Sequence, residues 1–171
     1  MANAASAVLV GVTGVVYKGA TTATAPTSAT GTAASGFVAL GYIDEKGVTE
    51  TPTISTNKIK AWQNGDVVAV PKTEDEVTYK FTCLETNDTT VAAYYGNGTS
   101  ASGVVNGTAL AHASWIIDAT IGTKVKRTYV PDGQVTDRGP ITYVNGEAVG
   151  YEMTVTAFPD ASGNKAYWWM A

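Results

Sequence analysis

Histidine and cysteine each occur once in these 171 residues, and no run of lysine or arginine appears anywhere in the chain. Each shortage removes a class of function. With Cys83 alone, no intrachain disulfide can form, so a disulfide-stapled secreted domain is excluded and a reducing place of synthesis fits best. One His and one Cys far apart supply no zinc ligand set, and no metal or cofactor is expected. Eleven basic side chains against fifteen acidic ones give a net charge of −4, which offers no footprint for tight binding to phosphate backbones. Long apolar runs are missing as well. Residues 8–16 are broken by Gly11, Thr13 and Gly14, and residues 1–7 carry no positive side chain, which makes a poor signal peptide and a stretch too short to span a membrane.

Catalytic patterns are equally scarce. His112 stands near Ser114, yet no Gly-x-Ser-x-Gly turn or orienting acid accompanies them, so both read as bystanders. Glu74, Asp75 and Glu76 read as a solvated turn rather than a hydrolytic pair, because neighbours on a strand face opposite ways and no calcium-loop spacing follows. Glycine-rich phosphate cradles are absent. The Asn-x-Thr triplets at Asn87, Asn97 and Asn106 read as coincidence in a chain rich in both residue types. No catalytic residue is assigned.

What the chain does have is Thr, Ser, Ala and Gly around short β-branched and aromatic runs. Charged residues make up 15% and apolar residues 44%, so the surface is uncharged, polar and cheap to desolvate, which favours contact with other protein. The chain length suits one domain, taken here as residues 1–171. Strands are expected at residues 8–17, 37–43, 53–61, 76–84, 115–121, 124–130, 134–144 and 148–158, with a short aromatic strand or arm at 165–170. In the clearest of these, Val77, Tyr79, Phe81 and Cys83 point one way while Thr78, Lys80 and Thr82 point the other. Turns are expected at residues 44–47, at Asn64-Gly65, at Pro131-Asp132-Gly133 and at Asn145-Gly146. Pro140 marks an edge, a bulge or a strand end. One helix is expected, capped by Thr86 or Asn87, carrying Val91, Ala92, Tyr94 and Tyr95 as its apolar stripe and closed by Gly96. The uncharged segments 20–36 and 97–113 read as a loop or arm with nothing to build a core and as a flexible excursion. The overall class is mainly β, a sandwich or barrel-like fold with one short helix on its side.

Trp62, Trp115, Trp168 and Trp169 suit core or interface anchoring better than a sugar platform, since adjacent Trp168 and Trp169 on a strand face opposite sides. The words GFVALGYIDEKGVT (36–49), AWQNG (61–65), VTYKFTCLETN (77–87) and YYG (94–96) then follow in order, and GEAVGY (146–151) and TVTAFPD (154–160) close the series. Taken together they resemble the major tail (tube) proteins of long-tailed, non-contractile phages, the siphophages of actinobacteria among them. The resemblance covers most of the chain from Gly36 onward, and 8–25 fits it loosely.

That resemblance implies a structural virion subunit, made in the host cytoplasm, whose hexameric rings stack into a hollow tube. It implies an inner barrel shared by six subunits, loops and arms reaching neighbouring rings, and passage of double-stranded DNA without specific binding. Tape-measure, tail-terminator and distal tail proteins are the further partners it implies; no membrane is involved. Alternation along 148–158 leaves Glu152, Thr154 and Thr156 opposite a buried set, and Asp118 and Thr120 lie opposite Trp115, Ile117, Ala119 and Ile121. Glu152, Asp118, Thr154 and Thr156 are therefore candidates for the lumen, with outer-surface exposure as the alternative. Trp168, Trp169, Pro26 and Thr27 are candidates for contact between subunits. A monomeric β-sandwich binding module, of adhesin or carbohydrate-binding type, and an Asp/Glu hydrolase are the rival readings.

Overall fold

A computed structural model describes residues 10–171; Val8 and Leu9, at the start of the first expected strand, lie outside the described residues. The elements run β1 (Gly11–Gly19), β2 (Phe37–Ala39), β3 (Thr49–Thr56), β4 (Ile59–Lys60), β5 (Val67–Ala69), β6 (Lys72–Cys83), α1 (Asp88–Tyr95), β7 (Ala113–Ile121), β8 (Lys124–Arg138), β9 (Tyr151–Phe158) and β10 (Tyr167–Met170). Strand order is β2-β1-β7-β8-β9-β6-β3, with β10 also paired to β8 and the β4–β5 hairpin standing apart. All pairings are antiparallel.

Strand β8 is the pivot. Its first half pairs with β7 and β10, and its second half pairs with β9. The sheet thereby folds back on itself, and its two halves bury their facing sides as a sandwich does. Val16, Trp115, Ile117 and Val130 from one half meet Tyr79, Phe81, Met153 and Val155 from the other, in one buried cluster. Phe81 and Trp115 sit with ring centroids 6.1 Å apart across that core. The alternation in β6 and β9 is what aims these side chains, since residues two apart share a face.

The expected turn at Pro131-Asp132-Gly133 is not there: β8 runs straight through it. Between Ala113↔Gly133 and Trp115↔Val130 the register shifts, so Pro131 sits in a bulge, one of the few places a sheet tolerates proline. Gly133 is needed for close approach. A Cβ there would lie 2.8 Å from Trp115 Cδ1 and 2.9 Å from Val155 Cγ1, and the Trp115 indole N–H donates to the Gly133 carbonyl at 3.2 Å.

Other expectations shift for similar reasons. Glu74, Asp75 and Glu76 belong to β6 and not to a turn, because β6 extends back to Lys72 in register with β3. The expected strand at 53–61 divides into β3 and β4, and Asn64 (φ 58) with Gly65 (φ 70) closes the β4–β5 hairpin as its sequence implies. The expected strand at 37–43 stops at Ala39; beyond it only Ile43 bridges to Cys83. The pairing expected for 134–144 with 148–158 is confined to β8 and β9. Its last ladder bond is Gly139 N–H to Glu152 O at 3.0 Å, and Pro140, lacking an N–H, ends the strand. Asn145-Gly146 turns within the loop that follows.

The helix is capped as read: Asn87 Oδ1 accepts from Thr90 N–H at 2.9 Å, and Gly96 closes it at φ 82. Its buried side chains are Thr90, Val91, Ala93 and Tyr94 rather than the expected stripe through Ala92 and Tyr95. Thr90 is drawn inward because its hydroxyl donates to the Leu40 carbonyl at 2.8 Å.

Segment 20–36 is a loop, as expected, and adds nothing to the main core, but it is docked on the sheet. Pro26 and Ala29 are buried, Ser114 Oγ donates to Ala20 O at 2.6 Å, and Arg127 donates to Ser28 O and Gly31 O at 3.3 and 3.1 Å. The segment covers the outer side of β7 and β8, and Phe37 beside it packs edge-on against Tyr129. Segment 97–112 is irregular but anchored. Asp88 accepts from Ser100 N–H and Oγ at 2.7 and 2.8 Å, and Leu110 packs on the main core.

Candidate functional site

Two halves of the sheet present very different outer faces. The outer side of β7 and β8 is covered by segment 20–36. The outer side of β3 and β6 is open, that of β9 is partly exposed at Glu152 and Thr154 and buried at Thr156, and partners across an antiparallel ladder share a face. Thr51, Thr78 and Thr156 form one cross-strand row, and Thr49, Lys80 and Thr154 form the next. Thr82 pairs with Glu152, and Thr53 with Glu76. The result is a threonine-covered face with a few charges. Lys80 and Glu152 pair at 3.0 Å, Thr136 and Thr156 hydroxyls lie 2.7 Å apart, and Thr156 donates to Glu76 at 3.4 Å.

Of the lumen candidates, the structure brings Glu152, Thr154 and Thr156 together on this face. Asp118 belongs elsewhere. It lies on the other half of the sheet, and its carboxylate accepts from Arg127 Nε at 2.7 Å and NH2 at 2.6 Å beneath segment 20–36. Its charge is already neutralised within the protomer. Among the contact candidates, Pro26 is buried against its own protomer while Thr27 is exposed. Trp168 is 65% exposed, and Trp169 is partly covered, stacked on Tyr167 at 6.3 Å. Their registry with Thr128 and Arg127 puts them on opposite faces.

The outer margin of β3 carries no strand among the described residues. An unpaired strand edge is a template for another chain, and Pro52 within it removes one outward donor without closing the edge. The opposite margin of this half-sheet is the exposed run Thr136, Asp137 and Arg138 at the end of β8.

Sequence reasoning missed a projecting arm. Beyond the core, β3 and β6 continue as a two-stranded arm whose tip is the β4–β5 hairpin. It is exposed on both faces and carries Ile54, Ile59, Trp62, Val67, Val68 and Val70 in the open, with Trp62 99% exposed. The signal was the composition of β3, Thr-Glu-Thr-Pro-Thr-Ile-Ser-Thr, which has no apolar face to bury. At the root of the arm, a cleft of about 770 Å³ opens between the sheet halves, lined by Val12, Ile43, Val48, Tyr79, Ile117 and Ala119. Asp44, Glu45, Glu50 and Glu85 stand around it together with Lys46 and Lys126. Glu50 and Lys126 pair at 3.6 Å across it.

The reactive groups are occupied elsewhere. Ser114 is fully buried and spends its proton on Ala20 O, while His112 Nδ1 meets Asp132 Oδ1 at 2.6 Å and its ring lies against Phe158. Burial pushes the Cys83 thiol up to about 12. No helix among the described residues is long and apolar enough to cross a membrane.

The model of the phage tail tube protein family matches residues 1–171, the whole chain, so the chain belongs to that family. It is a structural component of the virion that assembles with itself into a tube. No curated protein matches the chain.

Proposed function

We propose that this member of the phage tail tube family closes with sister copies into hexameric rings, stacked as the tail tube of a long-tailed, non-contractile phage, and that double-stranded DNA passes through the lumen. One observation carries the reading: the open edge of β3 borders a polar face that is exposed along β3 and β6. Pairing that edge with the exposed end of β8 in the next copy extends the β3-β6-β9 half-sheet from subunit to subunit, and closing the ring leaves no free edge. The threonine face then lines the tube. Hydroxyls hold water rather than phosphate, the Glu76 carboxylate repels a polyanion, and Glu152 offsets the charge of Lys80, so DNA slides without sticking. Asp118 has no part in this lumen, since Arg127 already holds its carboxylate.

Thr27, Trp168 and Trp169 remain the candidates for contact with neighbouring copies. Synthesis takes place in the bacterial cytoplasm, and tape-measure, tail-terminator and distal tail proteins meet the tube inside and at its ends. A sizing column followed by negative-stain imaging of the concentrated protein tests the reading. Rings or hollow rods support it; a persistent monomer with a saturable small ligand favours a binding module instead.

A further inference from the structure

The arm tip and the inter-sheet cleft are complementary in charge, and each exposes apolar groups. At the tip, Trp62 stands fully in solvent, Ile59, Val67 and Val68 are exposed on the same hairpin, and Lys58 and Lys60 precede it. The cleft is apolar in its depth, with room for an indole and its aliphatic neighbours, and Asp44, Glu45, Glu50 and Glu85 exceed Lys46 and Lys126 around it. An exposed apolar cluster of this kind marks an interaction site, and a central aromatic entering a pocket is the usual anchor of one. The tip cannot reach its own cleft. Glu50, at the start of β3, already lines the cleft, and eight residues of strand at about 3.4 Å each carry the tip roughly 27 Å away.

We propose that the arm tip, led by Trp62, docks in the inter-sheet cleft of a second copy of this chain. This rests on the tube reading and adds its contact. Tip and cleft are different patches, so the contact is head to tail: each copy offers one of each, and the interaction propagates through a ring or along a stack. Lys58 and Lys60 then face the acidic rim, which sets orientation and disfavours tip-to-tip pairing.

The test uses full-length protein with single introduced cysteines, Gln63→Cys at the tip and Val12→Cys at the cleft mouth; both positions are exposed in the protomer. Native Cys83 is fully buried and stays silent. After mild oxidation, the mixture of the two variants should give roughly tenfold more disulfide dimer than either variant alone, the yield expected of a specific head-to-tail contact. In parallel, Lys58→Glu with Lys60→Glu should raise the concentration needed for rods roughly tenfold, and adding Asp44→Lys with Glu45→Lys should restore it. Wild-type rods without excess dimer in the mixture overturn the docking and leave the tube reading standing. A wild type that never oligomerises overturns both.

Discussion

Arg127 and Asp118 face each other across β8 and β7, joined by two hydrogen bonds of 2.6–2.7 Å, with Arg127 only 3% exposed. The remaining guanidinium donors reach the carbonyls of Ser28 and Gly31, so one side chain fastens segment 20–36 to the sheet. Removing the carboxylate leaves a buried cation without its partner. Asp118→Ala should therefore cost about 3–5 kcal/mol in chemical denaturation and speed amide exchange across residues 26–31. A charge reversal here reports on folding, not on DNA passage.

Gly133 should not tolerate a side chain, because its Cβ would press on Trp115 and Val155 at once. Gly133→Ala should destabilise by about 1–3 kcal/mol, through overpacking. Gly11→Ala, where a Cβ meets nothing within 4 Å among the described residues, is the control and should stay within about 0.5 kcal/mol. Equal melting temperatures for the two variants would show that Gly133 is there for another reason.

The contrast at Gly133 also shows where sequence reading stops. Pro-Asp-Gly is turn chemistry, and only the tertiary partners of β8, a bulge and an indole, make it strand. Alternation in β6 and β9 was legible because each strand buries one face, and Asn87 and Gly96 were legible because caps are local. Segment 20–36 is the loop that was expected, but its docking was not legible, because its buried groups, Pro26 and Ala29, matter only through what they cover. Glu152, Thr154 and Thr156 were placed on one face by period alone. The same period could not say that Asp118 lies on the other half of the sheet. Segment 49–76 gave strands and a turn, and the one sign of an arm was a β3 with no apolar face to bury, since projection itself depends on what the rest of the chain leaves uncovered.

Cys83 should resist thiol reagents at pH 8 until the protein unfolds, because burial both hides the thiol and raises its pKa to about 12. Labelling in increasing urea should track loss of Trp fluorescence. Rapid labelling of the folded protein would contradict the core described here.

Asp160 accepts the N–H of Asn164 and the hydroxyl of Tyr167 at the start of β10, with Ser162 N–H as a further donor, and these bonds lower its pKa. A carboxylate depressed in the folded state stabilises above its unfolded pKa of about 3.9, and that stabilisation fades as pH falls through the lower folded value. The melting temperature of the wild type should exceed that of Asp160→Asn near neutrality, and the gap should close on acidification below pH ~4. A gap that widens in acid would reverse the assignment.

Glu152→Lys breaks an exposed pair with Lys80 and should change stability by less than about 1 kcal/mol. Placed in the lumen, it sets a new cation where DNA must slide, so rods should still form while infectivity or in vitro DNA release falls. Unchanged release from intact rods would move Glu152 to the outer surface.

The proposed tube depends on strand edges that sister copies complete. Hydrogen exchange followed across residues 49–56 and 134–138, in the free protomer and in assembled rods, measures this most directly. Outward amides of β3 should exchange quickly in the protomer and be slowed at least ~tenfold in rods, as backbone ladders form across the interface. The same rates in both states, in rods seen to be intact, would contradict it.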